Sequence, residues 1–277
     1  MKVIKDIKTW LEVRSEICAT VGFVPTMGAL HAGHVSLLER SVAEVEVTVL
    51  SIYVNPTQFN NPDDLANYPD TLDADLAWAE KVGVDYVILP RYEDMYADGF
   101  RYQVNESQFS LGLCGGNRPG HFTGVLTVVM KLLNLVAPHR AYFGKKDHQQ
   151  YALIKDMCAA FFMNVEIVGC DTIREADGLA MSSRNKLLDD RARLRAPQLY
   201  QVLRSAVDDY AARERLVQLG FSVDYVETVN GRRFGAVVMT VGEHTVRLID
   251  NVIVPSTHGP IRNSTDTNMQ REANAVR

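Results

Sequence analysis

The sequence lacks the two glycine-rich motifs that mark most nucleotide-binding chains. Among its 277 residues there is no G-x-x-x-x-G-K-[S/T] and no G-x-G-x-x-G. The first absence excludes a P-loop, and the second excludes the dinucleotide-binding fingerprint. A phosphate-containing ligand would therefore have to be bound by other residues.

Long apolar runs and paired cysteines are also missing. No run reaches the about 20 apolar residues that span a bilayer, and residues 1–10 are Lys-rich without the apolar core of a signal peptide. We therefore expect a cytoplasmic protein with no membrane partner. The four cysteines form no C-x-x-C pair, so we predict neither a zinc site nor a disulfide framework. The formal net charge of -5 argues against nucleic acid as the main partner.

The arrangement of apolar segments predicts an α/β fold. Strand-length apolar runs alternate with amphipathic stretches over residues 1–172, which is typical of βαβ units in a Rossmann-like parallel sheet with helices on both faces. Residues 173–254 form an Arg-rich helical stretch and three short runs, which predict a smaller C-terminal α+β domain with a short antiparallel sheet. We expect the polar residues 255–277 to form a mobile tail.

In detail, the predicted strands of the large domain cover residues 21–25, 45–54, 84–89, 141–143 and 165–168. The predicted helices cover residues 34–44, a segment capped by Thr71, and residues 122–136 and 147–162. In the small domain we predict helix over residues 191–219 and strands over residues 223–229, 236–240 and 245–249.

The most informative segment is P-T-M-G-A-L-H-A-G-H at residues 25–34, which joins a predicted strand to a helix. In an open α/β sheet, ligands lie beyond the carboxyl ends of the strands, and a helix start offers free N–H groups to an anion. Gly28 and Gly33 would let the backbone approach a phosphate, and His31 and His34 could both donate to it. The alternative is that the two histidines only cap the helix and pack in the core. For a lone histidine we would favour that interpretation, but for two histidines with paired glycines after a buried strand we favour phosphate binding. We do not expect the two histidines to bind zinc, because a zinc-binding pair on a helix is spaced i, i+4 and needs a third ligand, which is not evident here.

Two further polar segments follow predicted strands or precede a helix. Asn55 and Gln58 lie in N-P-T-Q-F, where side-chain amides could hold a polar substrate, although a plain Asn-Pro turn is an equally good interpretation. Arg118 and His121 lie in a basic loop at the start of a buried helix.

The last two segments carry positive charge. In G-K-K-D-H-Q-Q, Gly144 allows close backbone approach, Lys146 could neutralise a phosphate, Asp147 could reach a ribose hydroxyl, and Gln150 lies one turn further on. A solvated helix start is the alternative. Residues 182–184 place two hydroxyls and a guanidinium on a loop that could close on the outer phosphates of ATP.

In order and spacing, five segments resemble the pantothenate synthetase (pantoate–β-alanine ligase) family over about residues 20–190. They are P-T-M-G-A-L-H-A-G-H, N-P-T-Q-F, R-P-G-H-F-x-G-V, F-G-K-K-D-H-Q-Q and D-G-L-A-M-S-S-R-N. The H-A-G-H segment is also similar to the H-x-G-H signature of nucleotidyltransferases and class I aminoacyl-tRNA synthetases. The resemblance implies that the carboxylate of D-pantoate attacks the α-phosphate of ATP, which gives pantoyl adenylate and pyrophosphate. The amine of β-alanine then displaces AMP.

The reaction fits the residue types, because a carboxylate is already ionised at neutral pH and needs positioning and phosphate stabilisation more than a base. The resemblance implies catalytic roles for His34, His31, Lys146, Ser182, Ser183 and Arg184. It implies ATP contacts for Met27, Gly28, Ala29, Leu30, His31, Ala32, Gly33, His34, Gly144, Lys145, Lys146, Asp147, Ile173, Met181, Ser182, Ser183 and Arg184. It implies substrate contacts for Gln58, Gln150, Asn55 and Arg118, with His121 in the same loop. Mg²⁺ is expected with the triphosphate, without an assigned protein ligand, and a homodimer through the large domain is expected.

The sequence departs from the family at several positions. Thr57 stands where Met is frequent, and Lys145 stands where Glu or Gln is common; we expect both to be tolerated. The stretches around residues 210–220 and around Gly231 look shortened, and in this part only D-Y-V-E and R-L-I-D-N are readily matched.

The residues of the site disfavour three other functions. A related adenylyl or cytidylyl transferase with a phosphate acceptor would want additional Lys or Arg where Gln58 and Gln150 stand. An aminoacyl-tRNA synthetase would need an anticodon-binding domain, which nothing here resembles. A non-catalytic nucleotide sensor would not need His31, His34 and Lys146 together with the guanidinium of residue 184.

Overall fold

The larger sheet has six strands, all paired in parallel. The computed structural model describes residues 1–242 and 244–255. The strands are β1 (Lys2–Ile4), β2 (Val21–Thr26), β3 (Val47–Ile52), β4 (Tyr86–Ile88), β5 (Arg140–Gly144) and β6 (Glu166–Cys170). Their order across the sheet is β1-β4-β3-β2-β5-β6. The parallel sheet predicted from the sequence is confirmed.

The helices between these strands match the predicted amphipathic segments and add short ones. They are α1 (Ile7–Glu16), α2 (Ala32–Glu44), α3 (Pro62–Ala66), α4 (Leu72–Val82), α5 (Tyr92–Met95), α6 (Leu113–Asn117), α7 (His121–Val136) and α8 (His148–Ala160). Thr71 is the N-cap residue of α4, as predicted, although its side chain makes no capping hydrogen bond. Both α7 and α8 begin close to the predicted residues.

The central strands are buried on both faces, because successive side chains of a strand point to opposite sides of the sheet. Val49 of β3 belongs to a core cluster with residues of α7 and α8. Its neighbour Leu50 belongs to a second cluster, with residues of α2 and α4. Val21 and Val24 of β2 divide between the two clusters in the same way. Helices therefore cover both faces of the sheet, as predicted.

The C-terminal part is built on an antiparallel sheet. It contains α9 (Asp190–Arg195), α10 (Gln198–Ser205), α11 (Asp209–Gln218), β7 (Ser222–Val229), β8 (Arg232–Val241) and β9 (His244–Ile253). The three strands pair in the order β7-β8-β9. The predicted helical stretch is three helices rather than one, because Pro197 lacks an N–H group and separates α9 from α10.

The N-terminal segment was not predicted to form regular structure. No element was expected over residues 2–16, yet β1 pairs with β4 at the sheet edge and α1 follows it. Asp6 caps α1 by accepting the N–H of Thr9 at 2.7 Å. Trp10 is buried and donates its indole N–H to the carbonyl of Leu135 at 2.9 Å. Long-range contacts of this kind stabilise a segment whose own pattern is weak.

The remaining predictions concern the tail and the membrane. The predicted mobile tail, residues 255–277, lies outside the described residues except for its first residue. Within the described part of the chain, no helix is both long enough and apolar enough to cross a bilayer.

Candidate active site

A cavity of about 240 Å³ lies at the carboxyl ends of β2 and β5. It brings together most of the predicted site residues. These are Met27, His31, Gly33, His34, Asn55, Gln58, Gly144, Lys146, Asp147, Gln150, Ile173, Met181, Ser182, Ser183 and Arg184. A second cavity of about 750 Å³ shares five of them, extends toward the C-terminal sheet, and is also lined by Arg118 and His121. The remaining predicted residues, Gly28, Ala29, Leu30, Ala32 and Lys145, line neither cavity.

The loop between β2 and α2 is held by a buried carboxylate. Asp75 of α4 accepts the backbone N–H of Ala29 at 2.9 Å and that of Leu30 at 2.8 Å. Gly28 has a φ of 81° and donates its N–H to the hydroxyl of Thr26 at 3.2 Å. A side chain at Gly28 would lie 3.0 Å from the Asp75 carboxylate. These three amides therefore have partners within the protein, and the loop positions the histidines that follow. The ATP contacts of Gly28, Ala29 and Leu30 stay predictions.

His31 and His34 stand against each other at the start of α2, with ring centroids 4.1 Å apart. His31 is the N-cap residue, and its Nδ1 accepts the N–H of Gly33 at 3.1 Å. This hydrogen bond assigns the proton of the neutral ring to Nε2. The Nδ1 atom of His34 is buried and has no hydrogen-bond partner among the described residues.

Both rings are neutral at pH 7. The pKa of His31 is lowered to about 4, mainly by burial and then by the charge of Lys146. The pKa of His34 is lowered to about 3, mainly by burial and then by the neighbouring His31. A neutral imidazole still donates one N–H. The pair is therefore suited to donating hydrogen bonds rather than to carrying positive charge.

Gln58 is oriented by a buried amide network. Asn55 donates to the Oε1 of Gln58 at 3.0 Å and to the carbonyl of Gly124 at 3.3 Å. Its own Oδ1 accepts hydrogen bonds from Tyr96 at 2.9 Å and Thr57 at 3.0 Å. Since every polar atom of the Asn55 side chain has a partner in the protein, its observed role is to orient Gln58. Its direct contact with substrate stays a prediction.

The backbone of Gln58 is held by the basic loop before α7. Its carbonyl accepts hydrogen bonds from Nδ1 of His121 at 2.8 Å and from Arg118 at 3.2 Å. Arg118 also lies 3.1 Å from Nε2 of His121. Because arginine only donates, Nε2 is the acceptor and Nδ1 carries the proton. Burial, followed by the charge of Arg118, lowers the pKa of His121 to about 4, which agrees with this neutral tautomer.

The part of the cavity lining that we call its cationic wall carries Lys146 and Arg184. Lys146 lies 3.4 Å from the carboxylate of Asp147. Burial would raise the pKa of Asp147, but the charge and hydrogen bond of Lys146 outweigh it, so this pKa is lower than usual. Lys145, which was predicted to bind ATP, points its amine to Asp171 at 3.0 Å. The side chain of Lys145 is therefore engaged with Asp171, and only its backbone adjoins Lys146.

The loop at residues 181–184 completes this wall. Met181 donates its N–H to the carbonyl of Ile173 at 2.9 Å, and Ser182 caps the short 3₁₀ turn Ser183–Leu187. Arg184 pairs with Asp64 of α3 at 3.0 Å. This ion pair joins the loop to the segment that follows Gln58.

Sequence reasoning missed the carboxylates that hold these loops. Asp75 shares the helical stripe of Leu72, Leu76 and Ala79, and a lone carboxylate on an apolar stripe is a signal that could have found it. Asp64 lies in a polar stretch with no distinguishing pattern.

A parallel sheet with its cavity at the carboxyl ends of the strands, bordered by paired neutral histidines, a lysine and an arginine, defines a Rossmann-like enzyme of the H-x-G-H type. The family model described as pantoate-beta-alanine ligase matches residues 1–253. The chain belongs to the pantoate–β-alanine ligase family, and it is a ligase that joins pantoate to β-alanine.

Similar proteins agree over nearly the whole chain. The pantothenate synthetase of Bdellovibrio bacteriovorus is 51% identical over 247 residues, which cover 89% of this chain and 96% of the relative. That of Legionella pneumophila strain Lens is 47% identical, over 92% of this chain and 100% of the relative. The crystal structure of the Francisella tularensis ligase, complexed with β-γ ATP and β-alanine, is similar with a TM-score of 0.84 and 39% identity, covering 91% of this chain and 97% of the other.

Proposed function

We propose that the two walls of the 240 Å³ cavity divide the work of an ATP-dependent ligation of D-pantoate with β-alanine. The observation that carries this proposal is the arrangement of polar groups. Gln58 and Gln150 offer uncharged amides, while His31, His34 and Lys146 offer donors and charge. Amides suit a hydroxy acid, and a cationic wall suits a triphosphate.

In the first step, a carboxylate oxygen of pantoate attacks the α-phosphorus of ATP. The new O–P bond replaces the bond to pyrophosphate, and pantoyl adenylate forms. No proton has to be removed, because the carboxylate is already ionised. Gln58 and Gln150 orient the nucleophile, and the N–H groups of His31 and His34 stabilise the charge that grows on the α-phosphate.

Lys146 and residues 182–184 act on the outer phosphates. Lys146 and Arg184 both line the two cavities. Charge at these positions stabilises the departing pyrophosphate. Gly144 and Ile173 contribute backbone contacts to the nucleotide.

In the second step, the amine of β-alanine attacks the acyl carbon of the adenylate. A C–N bond forms, the C–O bond to the phosphate breaks, AMP leaves, and the amine releases a proton. We call the part of the lining formed by Lys146 and residues 182–184 the nucleotide wall. The 750 Å³ cavity next to it gives this amine a path to the adenylate, and Arg118 lines this cavity.

Mg²⁺ belongs to this proposal as an ion carried by the triphosphate. Within the described residues no group of three or more His, Cys, Asp or Glu side chains could hold a metal. Phosphate oxygens and water would therefore supply most of its ligands. The ion supplies charge neutralisation of the triphosphate.

The proposal also retains the predicted cytoplasmic location, the homodimer, and the division into units 1–172 and 173–254. A third cluster of buried apolar residues supports this division, since all its buried members lie within residues 179–252. Closure of the smaller unit over ATP would exclude water from the adenylate.

Nucleotide product analysis tests the reaction. Purified protein is incubated with ATP, Mg²⁺ and D-pantoate, with and without β-alanine, and AMP, ADP and pyrophosphate are followed. We expect AMP and pyrophosphate in quantity only when both acceptors are present. Sustained pyrophosphate release without pantoate, or no turnover with all substrates, would contradict the proposal.

The same assay tests the residue assignment. Lys146→Ala should lose adenylation, because the charge on the nucleotide wall is removed. Lys155→Ala is the matched control, since Lys155 lies exposed on α8 and lines neither cavity. Equal activity of the two variants would show that Lys146 is not part of the machinery.

A further inference from the structure

Two adjacent side chains of β9, Asp250 and Asn251, each hold one of the loops that form the nucleotide wall. Both are buried, with 4% and 5% of their surface exposed. Successive side chains of a strand point to opposite sides. Two adjacent residues of β9 can therefore contact two different loops, one on each side of the strand.

Asn251 holds the turn that carries Lys146. Its amide nitrogen donates to the carbonyl of Lys145 at 3.0 Å and to that of Lys146 at 2.8 Å. Its amide oxygen accepts a hydrogen bond from Arg232. Since each polar atom of this side chain has a partner, its orientation is fixed, and so is the backbone of Lys146.

Asp250 holds the hairpin that leads into residues 182–184. Its carboxylate accepts two hydrogen bonds from Arg174, at 2.6 and 2.9 Å. The Arg174 guanidinium also donates to the carbonyl of Gly178 at 3.1 Å and lies 3.6 Å from the ring centroid of Tyr200. A bidentate pair of this kind restricts both position and angle.

The hairpin is short and ends at the site. Arg174 pairs with Ala180 across it, and the N–H of Met181 bonds to the carbonyl of Ile173 at 2.9 Å. Residue 182 follows directly. The position of Arg174 therefore sets where the serines and Arg184 begin.

We propose that Asp250 and Asn251 are positioning residues, which together set the distance between Lys146 and residues 182–184 across the phosphates of ATP. Neither has to touch the nucleotide. This inference rests on the proposed function of Lys146 and of the loop at residues 182–184. A mispositioned catalytic group can cost about 100-fold in rate for a displacement of about 1 Å.

The same sheet offers a contact for comparison. Arg233 of β8 is buried and pairs with Asp209 at 2.8 Å. It also donates to the carbonyls of Leu203 and Ala206. These partners belong to α10, α11 and the turn between them, and none belongs to a nucleotide loop. Asp209→Asn therefore weakens the ion pair between α11 and the buried Arg233 of β8 without touching the loops that carry the proposed machinery.

The experiment compares Asn251→Ala, Arg174→Lys and Asp209→Asn by pantoate-dependent exchange of pyrophosphate into ATP and by thermal unfolding. Arg174→Lys keeps the charge beside Asp250 but loses the bidentate geometry. We expect the first two variants to lower the exchange rate at least 10-fold, with the KM for pantoate within twofold of the parent, because Gln58 is held by other loops. Asp209→Asn should lower the Tm and leave exchange within twofold.

A double variant, Asn251→Ala with Arg174→Lys, tests whether the two contacts act as a unit. We expect the fold-loss in its exchange rate to be smaller than the product of the two single fold-losses. Either substitution alone already lets the distance between the two loops change, so the second adds little. Single variants that keep exchange within twofold at a Tm loss equal to that of Asp209→Asn would overturn the inference. If the fold-loss of the double variant equals the product of the two single fold-losses, the two contacts act independently, and the proposal that they act together is overturned.

Lys146→Ala separates this inference from the proposed function. If that variant keeps the parent exchange rate, the function proposed for Lys146 fails and the inference fails with it. If Lys146→Ala is inactive while Asn251→Ala and Arg174→Lys behave as Asp209→Asn does, the proposed function stands and only the inference is overturned.

Discussion

Gly124→Ala should displace the turn that carries Gln58 and so weaken pantoate binding. Gly124 lies on α7 against that turn, and an added Cβ would lie 2.5 Å from the carbonyl oxygen of Thr57 and 2.8 Å from the Cα of Gln58. Ordinary contacts of a Cβ begin at 3.4 Å, so the turn has to retreat by about 0.9 Å, the difference between 3.4 and 2.5 Å. A displacement of that size costs on the order of 100-fold when it misplaces a substrate-positioning group.

The effect should appear in kcat/KM for pantoate, with the KM for ATP changed by less than about threefold, because Lys146 and His31 lie on other loops. Overpacking should also lower the free energy of unfolding by about 1–3 kcal/mol, which urea denaturation measures. Gly112→Ala is the matched control, since its φ is -96° and an added Cβ meets nothing within 4 Å. A folded Gly124→Ala enzyme with the parent kcat/KM for pantoate would refute the reasoning.

Three further changes are expected to have measurable effects. His34→Ala should cut turnover by about 100-fold or more, since one preorganised donor contributes that much; near-normal turnover with the circular dichroism spectrum of the parent would contradict the role. Asp75→Asn should lower the free energy of unfolding by about 1–3 kcal/mol and raise the KM for ATP, because an amide oxygen replaces only one of the two acceptors for Ala29 and Leu30; unchanged denaturation would count against it. Lowering the pH from 6.5 to 5 should cost on the order of 2 kcal/mol of unfolding free energy through His34, because its folded pKa of about 3 lies below its unfolded value and the unfolded chain binds the proton first. His34→Gln should therefore show a smaller loss between urea titrations at the two pH values, and an equal loss would refute this assignment.

The parallel sheet was predictable from the sequence because its central strands are buried on both faces. Such strands read as nearly continuous apolar and β-branched runs, as residues 45–54 do, and no tertiary information is needed to find them. The edge strand β1 has three residues, and its burial pattern shows only Ile4 inside. It exists because β4 offers it a partner, and a pattern confined to residues 2–4 cannot reveal that partner.

The site was predictable as a set of loops, but not as a set of contacts. Motif spacing brought His31, Gln58 and Lys146 to one sheet edge, because the carboxyl ends of parallel strands meet there. It placed Ala29 and Leu30 at the ATP site, but it did not show that their amides donate to Asp75. The acceptor of these two amides lies 45 residues or more away in the chain, and local pattern carries no information on it.

The contact between Asn251 and the carbonyl of Lys146 spans 105 residues of sequence. During synthesis on a ribosome, the sheet of the large domain can form as soon as β6 has emerged, since β6 ends at Cys170. The loops of the nucleotide wall gain their support from β9 only after residue 251 has been added. A ligand stabilises only the state that binds it, so ATP would favour chains that have been made past this residue over shorter ones. Unfinished chains would not gain this stabilisation.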